Sequence, residues 1–168
     1  YTKVLFAQSY DADLVPGGKP EILDMVHENY QNADHIICGS SWVSDKIQKT
    51  YNRTTMGSIH PGVDTDLFYP RDRSKGDDRP TVLFSLLNTY PYKGYNRGIE
   101  VAKYLVQLCK KTNRQIRLMA YGPLHVHSCP EIIGLGLISQ PHLAKLLGTE
   151  FDVFCDPSTV HSYGLPSL

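Results

Sequence analysis

The chain has no apolar run near the roughly 18 to 20 residues that a membrane helix needs; its uninterrupted apolar stretches are short. It also lacks an excess of charge, with 17 Lys and Arg against 17 Asp and Glu. A dedicated nucleic-acid binder neutralises phosphates with a basic excess, so that class is excluded. The four cysteines, Cys38, Cys109, Cys129 and Cys155, show no CxxC spacing, and three lie in or beside apolar runs. That excludes a disulfide framework and points to a reducing compartment, with the thiols acting as small hydrophobes. Internal repeats and low-complexity segments are absent. The chain opens at Tyr1 without a signal-peptide pattern and stops at Leu168, straight after Tyr163-Gly164-Leu165-Pro166-Ser167, so we expect a segment of something longer. Asn52-Arg53-Thr54 fits a glycosylation acceptor, but such a triplet arises by chance at this length.

What is present is an ordinary globular composition: 168 residues, 41% hydrophobic and 20% charged, with mean hydropathy −0.29. Apolar runs of strand length alternate with helical patterns. Strands are expected at Lys3–Gln8, Asp34–Gly39 and Met56–Val63, the last running into an exit loop. Pro20 opens a helix over 21–32 with Ile22, Met25 and Val26 at helical spacing. Ser40 or Ser41 caps a second helix that carries Trp42, Val43 and Ile47 on one side. Beyond residue 80 strands are expected at 81–87, 115–121, 131–137 and 151–155. Helices are expected over 95–111, with the stripe Ile99, Ala102, Leu105 and Cys109, and from Ser139 to Leu147. This alternation predicts an α/β fold of Rossmann-like parallel sheets with helices on both faces.

Between the two stretches lies Tyr69–Pro80, with seven charges, two prolines and one glycine. It reads as a linker and predicts parts of two α/β domains, 1–69 and 81–168, joined through 70–80. Residues 1–64 hold five basic against eight acidic side chains, residues 65–168 twelve against nine. A mildly basic second part suits an anionic ligand.

In open α/β sheets ligands bind beyond the carboxyl ends of the strands, which singles out the following loops. Asn88–Gly94 places Lys93 and Gly94 just before a helix, where free amides, the helix dipole and an ammonium favour a phosphate. A lone Lys-Gly is more often a solvated loop. Tyr121-Gly122-Pro123 ends a strand with a glycine that lets a ligand approach the backbone. His125-Val126-His127-Ser128-Cys129 lacks structural-zinc spacing and reads as a polar loop. The last loop, Asp156 to Pro166, would present consecutive amides to a phosphate or sugar. Upstream, Gln8, Asp11 and Asp13 follow a strand; such Asx-rich loops usually serve turns. Trp42 is expected to pack in the core rather than stack on a sugar. Tyr90, Tyr92 and Tyr95 are equally compatible with a sugar cleft and with surface packing.

The order of these pieces resembles a known family. Ala33–Ser41 (ADHIICGSS), His60–Pro70 (HPGVDTDLFYP), Lys93-Gly94, Tyr121-Gly122-Pro123, Phe151–Phe154 with Pro157-Ser158, and Tyr163-Gly164-Leu165-Pro166 together look like glycosyltransferase family 4 of the GT-B fold. The resemblance implies the end of an acceptor domain followed by the first part of a donor domain. It implies retaining transfer of a sugar from a nucleotide diphosphate-sugar to a sugar or lipid-linked acceptor hydroxyl, in polysaccharide or glycoconjugate assembly. No cofactor and no essential metal are implied, and the setting is cytoplasmic, with any membrane association peripheral and through segments outside this chain. Lys93 and His161 would then be the catalytic pair, Lys93 taking up charge on the departing diphosphate. Asn88, Gly94, Arg97, Gly122 and Pro123 would contact the donor. Ile138 and Leu143 would flank its base, and Ser162, Tyr163, Gly164 and Leu165 would hold its sugar and phosphates.

The chain departs from the family's pattern at two positions. Asn88 stands where the family usually has an arginine, with Arg97 nearby to compensate. His161 stands at the first glutamate of the Glu-x7-Glu pair, whose second would fall at 169. Two other classes remain open on these residues: a nucleotide-sugar epimerase of the same fold, and a non-catalytic nucleotide-binding or interaction module in which both departures mark lost activity.

Overall fold

The structure is a computed structural model and describes residues 1–15, 19–72, 78–87, 91–123 and 129–160. The fold is α/β, with parallel sheets flanked by helices, in two compact units that divide between Gly62 and Val63. Among the described residues no helix is long and apolar enough to cross a membrane.

The first unit contains strands β1 (Val4–Ala7) and β2 (His35–Cys38), parallel and in register from Val4↔His35 to Ala7↔Cys38. Helix α1 (Pro20–Asn32) joins them, and α2 (Ser41–Tyr51) follows β2. Pro20 sits at the helix start, where its missing amide costs nothing. The Ser40 hydroxyl accepts the Val43 amide at 3.3 Å and so caps α2. Ile36, Cys38, Val43 and Ile47 are fully buried around Tyr10 and Tyr30. On the opposite face of β1, Val4 and Phe6 are exposed.

Three expectations for this unit are corrected. Trp42 is 42% exposed, while Val43 and Ile47 are fully buried. Positions 43 and 47 lie four apart on one helix face, and 42 is rotated about 100° away from it. Met25 is likewise exposed; α1 is anchored by Tyr30, with Ile22 and Val26 half-buried. Met56–Val63 forms no strand. Met56 donates to Ile36 O, Cys38 to Gly57 O and Ile59 to Cys38 O, giving one isolated bridge, Cys38↔Ser58. The pairing stops there because Pro61 has no amide to continue it, and residues 56–66 are exposed.

The second unit holds a four-stranded parallel sheet in the order β5-β4-β3-β6. Its strands are β3 (Thr81–Ser85), β4 (Arg117–Tyr121), β5 (Ile132–Gly134) and β6 (Val153–Cys155). Helix α3 (Tyr95–Lys111) connects β3 to β4, and α4 (Gln140–Thr149) connects β5 to β6. Alternation splits the strands between two cores. Val82, Phe84, Leu118 and Ala120 pack with Ile99 and Ala102 of α3. Leu83 and Met119 pack with Leu146 of α4 and with Phe151. Every residue of β3 is therefore buried, as the centre of a sheet covered on both faces requires.

Within the expected linker, Arg71 is half-buried, not solvated. Its guanidinium lies 4.2 Å from the Tyr69 ring centroid, donates to Leu67 O, and its aliphatic stem runs against Gly148 of α4. The four cysteines are free, Cys38 and Cys129 buried. Burial pushes the thiols of Cys38, Cys129 and Cys155 up, so they are poor nucleophiles near neutrality.

Candidate functional site at the carboxyl edge of the second sheet

The chain leaves β3 through Leu86, whose amide extends the ladder by donating to Tyr121 O at 3.0 Å. A single 3₁₀ turn, Pro91–Lys93, then leads into Gly94, which caps α3 at φ 71°. A residue with a side chain resists that left-handed conformation, and a Cβ at 94 would also overlap the Pro157 carbonyl. The approach is close because the loop after β6 is tied to this turn. Tyr92 O accepts the Thr159 amide at 2.8 Å and the Thr159 hydroxyl at 3.2 Å. The loop after β4 joins the same cluster: Gly122, at φ 133°, lies so near the Leu86 carbonyl that a Cβ would overlap it. The Gly122 amide donates to Gly136 O at 2.9 Å, which brings in the loop after β5. All four strand-end loops are thus linked through backbone.

These contacts bring Lys93 and Gly94 beside the stretch Pro157–Thr159, and set Gly122 against Leu86 at the end of β3. Lys93 is half-buried, its ammonium 5.6 Å from the Tyr92 ring centroid. Arg97 is exposed on the first turn of α3, Gly122 is buried and Pro123 half-buried. Ile138 and Leu143 are half-buried against the Leu83–Met119–Leu146 core. Asn88, His161, Ser162, Tyr163, Gly164 and Leu165 lie outside the described residues, as do Tyr90 and His125–Ser128.

A polar group that sequence reasoning missed stands at the same edge. Tyr121, the last residue of β4, stacks on Phe154 at 6.4 Å. Burial pushes its phenol up, the nearby Asp156 carboxylate adds to the rise, and a hydrogen bond with Ser85 partly offsets both. The Asp156 carboxylate in turn accepts the Ser158 amide and hydroxyl, which shapes the loop that reaches Tyr92. Ser85 and Tyr121 are register partners at two strand ends, so their meeting was readable only once strand order was known. Chemically, the edge offers an ammonium, a helix N-terminus and a phenol around loops held in place by backbone bonds.

In the first unit the acidic loop serves structure. The Asp13 carboxylate pairs with Lys46 at 3.0 Å, and Asp11 accepts the Ser9 hydroxyl. The Lys46 ammonium sits 5.2 Å from the Tyr10 ring centroid and 5.6 Å from that of Trp42. Tyr30 donates to Ser9 O and accepts the Asp11 amide, and burial raises its phenol to about 12. No protein-family model matches the chain, and no curated protein matches it significantly.

Proposed function

We propose that the protein is a retaining glycosyltransferase that moves a sugar from a nucleotide diphosphate-sugar to an acceptor hydroxyl, in polysaccharide or glycoconjugate assembly in the cytoplasm. The observation that carries this reading is the tie between the Lys93–Gly94 turn and the loop after β6, through Tyr92 O and Thr159. It holds an ammonium at the N-terminus of α3, where a diphosphate finds both a point charge and aligned amides. As the sugar departs from its diphosphate, negative charge grows on the leaving oxygen, and in this reading Lys93 offsets that charge. The order of motifs from Ala33 to Leu168 supplies the reaction class.

Lys93→Ala should weaken binding of a nucleoside diphosphate by about 1.5 to 3 kcal/mol, the worth of one charge-assisted contact. Isothermal titration calorimetry measures it, and an unchanged affinity rejects the assignment of Lys93. A second reading, a module that binds nucleotide-sugar without turning it over, is favoured by Asn88 and His161 at positions where the family carries charged residues. Product analysis over a broad acceptor panel separates the two: donor binding with neither transfer nor hydrolysis selects the module.

A further inference from the structure

Helix α2 is polar at every exposed position but one. Ser41, Asp45, Gln48, Lys49 and Thr50 are exposed, as an amphipathic helix requires, whereas Trp42 turns the chain's one indole to solvent at 42% exposure. Apolar side chains exposed singly are common on protein surfaces. Two observations set this one apart: where it stands and what holds it.

Trp42 is the second residue of α2, just beyond the carboxyl end of β2. The Gly39 amide donates to Ala7 O at 2.8 Å, and a Cβ at Gly39 would press on the Gln8 carbonyl, so β1 and β2 end side by side here. This is the edge at which parallel α/β sheets bind ligands. The ring is also braced. Lys46, one turn further on, places its ammonium 5.6 Å from the Trp42 ring centroid and 5.2 Å from that of Tyr10, and Asp13 in the turn after β1 pairs with the same ammonium at 3.0 Å. Tyr10 is buried and stacked on Tyr30, so the bracing runs from the core out to the surface ring. A side chain ordered in advance loses little freedom when a ligand arrives.

We propose that Trp42 is a sugar-stacking platform, on which a pyranose lays its apolar C–H face while its hydroxyls donate to the Asp13 carboxylate and accept from the Lys46 ammonium. The Lys46 and Asp13 side chains are 39% and 33% exposed, so both keep surface for such bonds. An aromatic plane beside one donor and one acceptor matches a ligand that is apolar on one face and hydroxylated at its rim. Because the two charges offset each other, the site suits a neutral ligand rather than a phosphate. Naming this sugar as the acceptor rests on the glycosyltransferase reading; the stacking does not.

Trp42 fluorescence reports occupancy directly, since no other indole is present. The protein is titrated with the methyl glycosides of glucose, galactose, mannose and rhamnose, and separately with uridine and guanosine diphosphates. At least one glycoside should shift the emission to the blue and shield it from acrylamide, saturably and in the millimolar range. By saturation-transfer NMR, Trp42→Ala should weaken that glycoside about tenfold, Lys46→Met about threefold, and Trp42→Phe should retain most of the affinity because a ring remains. The proposal is overturned if no glycoside perturbs Trp42, if only the nucleotides do, or if Trp42→Ala binds the glycoside as the parent does. Glycoside binding without nucleotide binding keeps the platform and removes the transferase reading.

Discussion

In the second unit every side chain of β3 is buried between two helical layers, whereas in the first unit β1 leaves Val4 and Phe6 open to solvent. The cores differ in kind as well. The second is built largely from aliphatic and phenylalanine side chains. The first gathers Tyr10, Tyr30 and Tyr51, with Tyr10 and Tyr30 stacked at 5.9 Å and the Tyr51 hydroxyl 2.5 Å from His27 Nδ1. A small sheet with one open face is held by packed rings whose hydroxyls must stay paired. A fully covered sheet relies chiefly on apolar burial. The contrast teaches that the two units should respond to different insults.

Phe84→Ala gives the largest expected effect. It empties a fully buried ring site at the centre of the second sheet and should destabilise that unit by about 3 to 5 kcal/mol. Trp42 is the chain's one tryptophan and belongs to the first unit, so its fluorescence reports on that unit. Urea unfolding by circular dichroism should show the loss while the Trp42 transition stays in place. A Trp42 transition that moves in step would mean the cores do not respond separately.

Alkali should strike the first unit in preference to the second. The Tyr30 phenol is raised from 10.0 to about 12, so the folded state holds its proton more tightly than the unfolded chain does. Stability from this group is complete below pH 10 and is lost as pH rises through 12, by an amount on the order of 2 kcal/mol. Tyr51 shifts in the same direction, chiefly by burial. Tyr30→Phe should flatten the alkaline fall seen through Trp42 fluorescence, after costing about 1 to 2 kcal/mol at neutral pH for the unpaired Asp11 amide and Ser9 carbonyl. An alkaline profile identical to that of the parent protein rejects Tyr30 as its source.

The smallest effect belongs to the Lys46–Asp13 pair, whose side chains are 39% and 33% exposed. Lys46→Ala should lower the unfolding free energy of the first unit, measured by urea titration, by no more than about 0.5 to 1 kcal/mol, even counting the contacts with Tyr10 and Trp42. A larger loss would make the aromatic core depend on its cationic lid and narrow the contrast with the second unit.

Much of this organisation was legible in the sequence. Helix α3 spans Tyr95–Lys111 as its stripe and basic end indicated, because a long periodic pattern fixes both face and extent. Trp42 and Met25 were misread because apolar character alone does not fix a side chain's azimuth when a neighbour one or three positions away already fills the buried face. Tyr30 was passed over for the converse reason: its ring anchors α1 while its hydroxyl serves the loop after β1. At the site, Lys93 and Gly94 followed from the rule that loops beyond strand ends bind ligands. The bond from the Thr159 amide to Tyr92 O spans 67 residues and joins backbone groups, so no side-chain pattern announces it. Tyr121 and Ser85 meet only through strand order.

The ring of loops around Lys93 closes chiefly through main-chain atoms, with Gly94 and Gly122 permitting the approaches. Scaffold and chemistry are thereby decoupled. The exposed side chain at 97 can be exchanged to suit a different guest without loosening the frame that presents it, while Gly94 and Gly122 admit almost no substitution.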